Sequence, residues 1–266
     1  MDVYCISLEK NKSKWPTILE KLKSVGFDNA QIFQAVNGKN FENPESEEVH
    51  KYGSPESFIT TWTLYNLKNN ISRKFHEQIP SWGAIGCSLS HATIWQNLLE
   101  SSNDRALIFE DDVGKFDKNF KKLFQDYLNN LPADMDVAFL DVYKNYEGKK
   151  VNDYVNSIKS QFFGTHAYII TKIAVQNFFQ KFFPIEIQID SFMFEYAQMN
   201  NMKMYTSSKH LCTQAFDNSS SIQDICILCM FNNKNVNYIL IGFSLLIVLS
   251  ALLLFFLKNK NFFLNK

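Results

Sequence analysis

The stretch Leu107-Ile108-Phe109-Glu110-Asp111-Asp112-Val113 constrains this chain more than any other. An apolar run passes directly into three adjacent carboxylates. The run reads as the end of a buried strand. The acids then stand where a strand leaves its sheet, the usual place for a site in an open α/β fold. Adjacent carboxylates repel one another, and a bound cation is the simplest way to keep them together. Oxygen-only ligands suit a hard ion such as Mn²⁺ or Mg²⁺. The same triplet also reads as a solvated turn or the acid-rich first turn of a helix.

Around this stretch, strands and helices alternate. Strands are expected at residues 3–8, 32–36, 105–109, 136–140, 164–170 and 202–206. Pro16 opens a helix with Ile18, Leu19, Leu22 and Val25 on one face, and Gly26 closes it. Residues 81–87 lead into a second helix that Ser88 caps, with Ser90 and His91 at its start and Leu89, Ala92, Trp95 and Leu99 on its apolar face. Phe116, Phe120, Leu123, Phe124, Tyr127 and Leu131 recur at helical spacing, which is a core stripe. Helices are also expected at 172–183 and from Asp190 through Met199. This alternation implies an α/β layered fold with a mostly parallel sheet. Residues 39–80 lack periodicity and are too long for an ordinary connection. They read as an insertion or mobile loop with some helix in it.

The 266 residues fit one catalytic-sized domain, expected over 1–232. Zero formal net charge and the lack of a basic block argue against a nucleic-acid partner. The run YILIGFSLLIVLSALLLFFL at 238–257 carries no charge and is long enough to span a bilayer, and the tail 258–266 holds Lys258, Lys260 and Lys266. The opening Met1-Asp2-Val3-Tyr4 lacks the basic flank of a signal peptide, so the expected anchor is C-terminal and single-pass. The cysteines Cys5, Cys87, Cys212, Cys226 and Cys229 do not form a disulfide framework. Cys226 and Cys229 have C-x-x-C spacing without a second pair, and their juxtamembrane position makes palmitoylation a candidate role.

Several blocks together resemble glycosyltransferase family 25, the lipooligosaccharide and collagen galactosyltransferases. Ile6-Ser7-Leu8 is similar to the family's opening nucleotide-side motif, with Lys14 where the family tends to place arginine. Ala35-Val36-Asn37-Gly38 is similar to its A-V-x-G turn. Gly83-Ala84-Ile85-Gly86-Cys87-Ser88-Leu89-Ser90-His91, followed by Trp95, resembles its most distinctive block. The acidic stretch resembles its L-E-D-D-V metal motif, with Phe109 as a departure. Gly164-Thr165-His166-Ala167-Tyr168-Ile169-Ile170, Ile189-Asp190, and Gln214 with Ser220-Ser221-Ile222 follow in the family's order. Lys14 lacks the bidentate contact of an arginine.

The resemblance implies a GT-A type nucleotide-sugar transferase fold, a divalent metal (Mn²⁺ or Mg²⁺) and inverting transfer. The donor it implies is a UDP-sugar, most simply UDP-galactose, and the acceptor a hydroxyl of a glycan or a protein, collagen-like chains included. The chemistry of the residues agrees, because a leaving diphosphate needs charge neutralisation. Asp112 is the expected direct metal ligand, with Glu110 beside it and His210 as a late ligand. Ser7, Leu8, Lys14, Ser90, His91, Glu110, Asp111 and Gln214 are the expected donor-side residues. Inversion requires a base for the acceptor hydroxyl. Asp190 is the first choice and Asp141 the second. The alternative is a catalytically inactive, membrane-anchored sugar-binding or scaffold protein of the same fold. The sequons at Asn11, Asn70 and Asn218 bear on topology. A glycan on Asn11 would stand beside the nucleotide site, and unpaired cysteines suit a reducing compartment. The domain is therefore expected to face the cytosol.

Overall fold

A computed structural model describes residues 1–142 and 148–215 of the chain. Residues 1–71 and 77–215 belong to one unit, and Ser72–His76 are assigned to a second. The strands are β1 (Asp2–Ser7), β2 (Ala30–Gln34), β3 (Arg105–Glu110), β4 (Val113–Phe116), β5 (Val137–Phe139), β6 (Gly148–Lys150), β7 (Val155–Ile158), β8 (Ala167–Thr171), β9 (Met204–Ser207) and β10 (Cys212–Gln214). The helices are α1 (Trp15–Ser24), α2 (Glu47–Tyr52), α3 (Thr61–Lys68), α4 (Trp82–Glu100), α5 (Phe120–Asn130), α6 (Lys172–Phe179) and α7 (Ile189–Met199).

The central sheet has 8 strands in the order β2-β1-β3-β8-β5-β9-β7-β6. Strands β2, β1, β3, β5, β9 and β6 run one way, and β8 and β7 run against them. The fold is therefore mixed α/β with a mostly parallel central sheet. Its central strand β3 is buried on both faces, as its unbroken apolar run requires. Successive side chains alternate between two cores. Ala106 and Ile108 join the core that includes α4, α6 and α7 residues, while Leu107 and Phe109 join the one with Leu22 of α1 and Phe120, Phe124 and Tyr127 of α5.

The stretch 39–80 holds α2, α3 and two short 3₁₀ turns. Its Phe41, Phe58, Ile59, Leu64, Leu67 and Ile79 are buried within the first core, so apolar burial shapes this segment.

Two sequence expectations fail locally. Helix α4 begins at Trp82, with Ser81 as its N-cap accepting the Ala84 N–H at 3.3 Å. Ser88, Ser90 and His91 thus lie well inside the helix, and Ser88 caps nothing. Gly86, inside the helix, serves a close approach to the loop at Gly38. A Cβ on Gly86 would stand 2.4 Å from the Val36 carbonyl oxygen, and one on Gly38 would stand 1.7 Å from that of Trp82. The second correction is Phe116. It belongs to β4, not to the helix, and packs edge-on against Phe120 at 4.9 Å between ring centroids.

Among the described residues no helix is long and apolar enough to cross a membrane. The run 238–257, the tail 258–266, Cys226, Cys229 and Ser220-Ser221-Ile222 lie outside the described residues.

Candidate active site

Strand β3 ends on Glu110 and β4 begins at Val113, so the three acids stand at the carboxyl end of β3 and in the tight turn that follows it. Each has a different set of partners. Oε1 of Glu110 accepts the Thr165 hydroxyl at 2.5 Å and lies 3.3 Å from Nε2 of His91. Burial opposes the Glu110 charge, but His91 and Thr165 outweigh it and hold the carboxyl below its ordinary range. Oδ2 of Asp111 accepts from Ser7 Oγ at 2.6 Å and from the Asn11 side-chain amide at 2.9 Å. The Trp15 indole N–H in turn donates to Ser7 Oγ at 2.9 Å. Asp111 is thereby fixed to the end of β1 and the 3₁₀ turn that follows it.

Asp112 differs from both. Its Oδ2 accepts the Gln214 amide at 2.8 Å, while Oδ1 is buried with no hydrogen-bond partner among the described residues. Burial first, then the neighbouring Glu110 charge, push its carboxyl up to about 7 despite the Gln214 bond. A buried carboxylate oxygen without a donor is costly. A hard cation would satisfy it, and Glu110 and Asp112 supply the oxygen ligands such an ion prefers. The residues present fit a divalent metal.

Asp190 sits in the first turn of α7 and is buried. Its Oδ2 accepts the Gly164 N–H at 3.1 Å and its Oδ1 the Ser191 N–H at 2.7 Å. Gly164 has φ +92°, a backbone conformation that favours glycine and turns the loop toward the carboxylate. Burial raises the Asp190 carboxyl, with the two backbone donors working against it. Gly164 also ties this region to the acidic turn, since a Cβ there would stand 3.5 Å from Gln214 Oε1.

The expected residues do not all fall together. His210 is exposed, and its Nδ1 pairs with Asp141 Oδ1 at 2.9 Å. Among the described residues one group of three potential ligands has its atoms within 4.8 Å of one another, and it is Cys87, His91 and Glu110. The trio Asp112, Glu110 and His210 therefore does not assemble as one ligand set. Ser90 is fully buried, donates to the Gly86 carbonyl at 2.7 Å and accepts the Val36 N–H at 2.8 Å. Its hydroxyl binds helix to loop and is not available to a donor sugar. His91 is also fully buried and reaches the site only through Glu110. Ser7 acts through Asp111. Leu8 precedes the 3₁₀ turn Glu9–Lys14, and Lys14 is exposed at its end.

Several residues carry the site without having been singled out. Thr165, Asn11 and Trp15 hold the acids, and Tyr168 and Trp95 stand behind His91. His166 is buried, both its ring nitrogens lack hydrogen-bond partners among the described residues, and Nε2 lies 3.9 Å from Asp141 Oδ2. Thr165, His166, Tyr168 and Trp95 lie in the resembling blocks, which could have flagged them, whereas Asn11 and Trp15 lie outside every block.

With the geometry in place, comparison with known proteins is direct. The family model described as glycosyltransferase family 25 (LPS biosynthesis protein) matches residues 1–193. A procollagen lysyl hydroxylase and glycosyltransferase of Acanthamoeba polyphaga mimivirus is 27% identical over 188 residues, 66% of this chain and 19% of that protein. Procollagen galactosyltransferase 2 of Homo sapiens is 28% identical over 201 residues, 70% of this chain and 29% of that protein. The lacto-N-neotetraose biosynthesis glycosyltransferase LgtE of Neisseria meningitidis serogroup B is 30% identical over 145 residues, 48% of this chain and 51% of that protein. The chain thus spans a fifth to a half of the length of these relatives.

Proposed function

The chain belongs to glycosyltransferase family 25, and from that premise we propose that it is a metal-dependent, inverting glycosyltransferase of the GT-A type. It moves a hexose, most simply galactose, from a UDP-sugar to a hydroxyl of a glycan or protein acceptor. The observation that carries this reading is Asp112, with one buried carboxylate oxygen unpartnered among the described residues and a second carboxylate beside it. Glu110 and Asp112 would hold Mn²⁺ or Mg²⁺, which when bound neutralises charge on a leaving diphosphate. Asp111, fixed by Ser7 and Asn11, stands on the donor side. Asp190 accepts the proton of the acceptor hydroxyl. Its raised carboxyl sits nearer the working pH than an ordinary aspartate, which suits a general base. The backbone N–H groups of Gly164 and Ser191 fix its orientation.

The run 238–257 anchors the chain to a membrane in this reading, with the catalytic domain facing the cytosol. Asn11 supports that orientation. Its amide nitrogen donates to Asp111, and N-glycosylation would alter the same nitrogen. The test of function is a screen of nucleotide-sugars on the full chain in detergent, with and without Mn²⁺. Turnover of a UDP-hexose that depends on the ion is expected. No turnover of any nucleotide-sugar with any divalent ion sinks the reading.

A further inference from the structure

His91 faces two ways, and its protonation pattern follows from what stands on each side. Nδ1 lies 2.8 Å from the Tyr168 hydroxyl, and the Trp95 indole N–H donates to that same hydroxyl at 3.0 Å. All three side chains are fully buried. An indole N–H can only donate, so it occupies a lone pair of the Tyr168 oxygen. The phenol keeps its own proton, since burial above all pushes its ionisation well above the ordinary range. That proton needs an acceptor. If Nδ1 were protonated, the hydroxyl would accept twice and its proton would be buried without a partner.

We propose that Tyr168, aimed by Trp95, donates to His91 Nδ1 and so leaves the ring proton on Nε2, which lies 3.3 Å from Glu110 Oε1 without the alignment of a hydrogen bond. Two consequences follow. The first concerns Glu110. Its Oε1 faces the Thr165 hydroxyl and the imidazole, whereas Oε2 has no hydrogen-bond partner among the described residues, the side chain being 14% exposed. Glu110 therefore presents one oxygen to the site and binds through it alone. Tyr168 and Trp95 are positioning residues for that oxygen. The second concerns the group Cys87, His91 and Glu110, whose atoms lie close enough to suggest a sulfur-nitrogen-oxygen metal site. A protonated Nε2 has no lone pair for a metal. With Nε2 protonated the trio lacks its nitrogen ligand and does not hold an ion.

The assignment of the proton is independent of the function proposed above. Its effect on donor binding rests on the function proposed above, and the experiments separate the two. The full-length chain is labelled with ¹⁵N at histidine, and the signals are assigned by changing His50, His76, His166 and His210 to Gln one at a time. Long-range ¹H–¹⁵N spectra are expected to show His91 with a proton on Nε2 and an unprotonated, hydrogen-bonded Nδ1. Finding the proton on Nδ1 overturns the proposal, and this readout needs no variant at Tyr168. Titration with Co²⁺ is expected to give no thiolate-to-cobalt band attributable to Cys87. A band that disappears in Cys87→Ser also overturns it. In Tyr168→Phe, with circular dichroism unchanged, affinity for Mn²⁺ with UDP is expected to weaken about 10- to 100-fold, the scale for removing a residue that orients a ligand. Unchanged affinity removes the positioning role. A wild-type chain that binds no Mn²⁺–UDP at all refutes the sugar-transfer reading and leaves the spectrum to decide the proton.

Discussion

Ser7 Oγ donates to Asp111 Oδ2 at 2.6 Å, joining the end of β1 to the acidic turn across 104 residues of chain. The same hydroxyl accepts the Trp15 indole N–H, so one oxygen serves both groups. Ser7→Ala leaves the part-buried indole N–H without its acceptor and Asp111 without one donor. The expected cost is about 1–2 kcal/mol, a melting point lower by roughly 2–8 °C. Weaker binding of Mn²⁺–UDP is expected alongside. Calorimetry and a binding isotherm check both, and an unchanged isotherm would remove Asp111 from the donor side.

Asp112→Asn keeps the side chain's shape and removes its charge. Turnover is expected to fall at least about a hundredfold, the scale of losing a key electrostatic stabiliser. Stability without metal should move the other way. The folded carboxyl sits at about 7 against an ordinary value of 3.8, so the folded state binds the proton more tightly. Its contribution is fully present below pH 3.8 and is lost as pH rises through 7. The metal-free wild type should therefore melt lower at pH 8 than at pH 5 by an increment that Asp112→Asn removes. Mn²⁺ should raise the wild-type melting point more at pH 8 than at pH 5. Equal metal stabilisation at both would count against Asp112 as the ligand.

Asp190→Asn is expected to abolish transfer while Mn²⁺–UDP binding persists. In the wild type, transfer should fall as pH drops through the raised Asp190 value, above the usual aspartate range. Rescue of the variant by excess donor would instead make Asp190 a binding residue.

Gly86→Ala tests the crossing of α4 with the loop at Gly38. The added Cβ would meet Val36 O at 2.4 Å and Gly38 N at 2.5 Å, both backbone atoms that cannot simply rotate away. A loss of about 2 kcal/mol or more is expected, within the range for overpacking, although alanine favours a helix over glycine. Chemical denaturation measures it, and a more stable variant would show that the crossing is loose.

The alternation of apolar runs made the layered fold legible before any coordinates. The passage from Phe109 to Glu110 likewise placed the acids at a strand end. What stayed hidden has physical causes. The helix start lay at Ser81 and not at Ser88, since glycine is a poor helix former and only the close approach of another backbone shows why Gly86 is tolerated inside α4. Strands β6 and β10 are three residues each, too short for a period to appear. Ser90 and His91 were visible as polar residues in an apolar helix, but only burial and their partners separate a structural hydroxyl from a binding one. The site of His210 depended on a fold-level neighbour, Asp141, 69 residues away.

Strand β10 bears on how the protein matures. It pairs with β4, the Ala215 N–H bonds the Asp112 carbonyl at 2.7 Å, and Gln214 orients the Asp112 carboxylate. The acidic turn is translated about a hundred residues earlier than this clamp. A nascent chain stalled before Gln214 has its acids but lacks the side chain that aims one of them. Ribosome-bound intermediates should accordingly remain poor ion binders until synthesis is well past that position, and a protease cutting just after His210 would disarm the domain while sparing its central sheet.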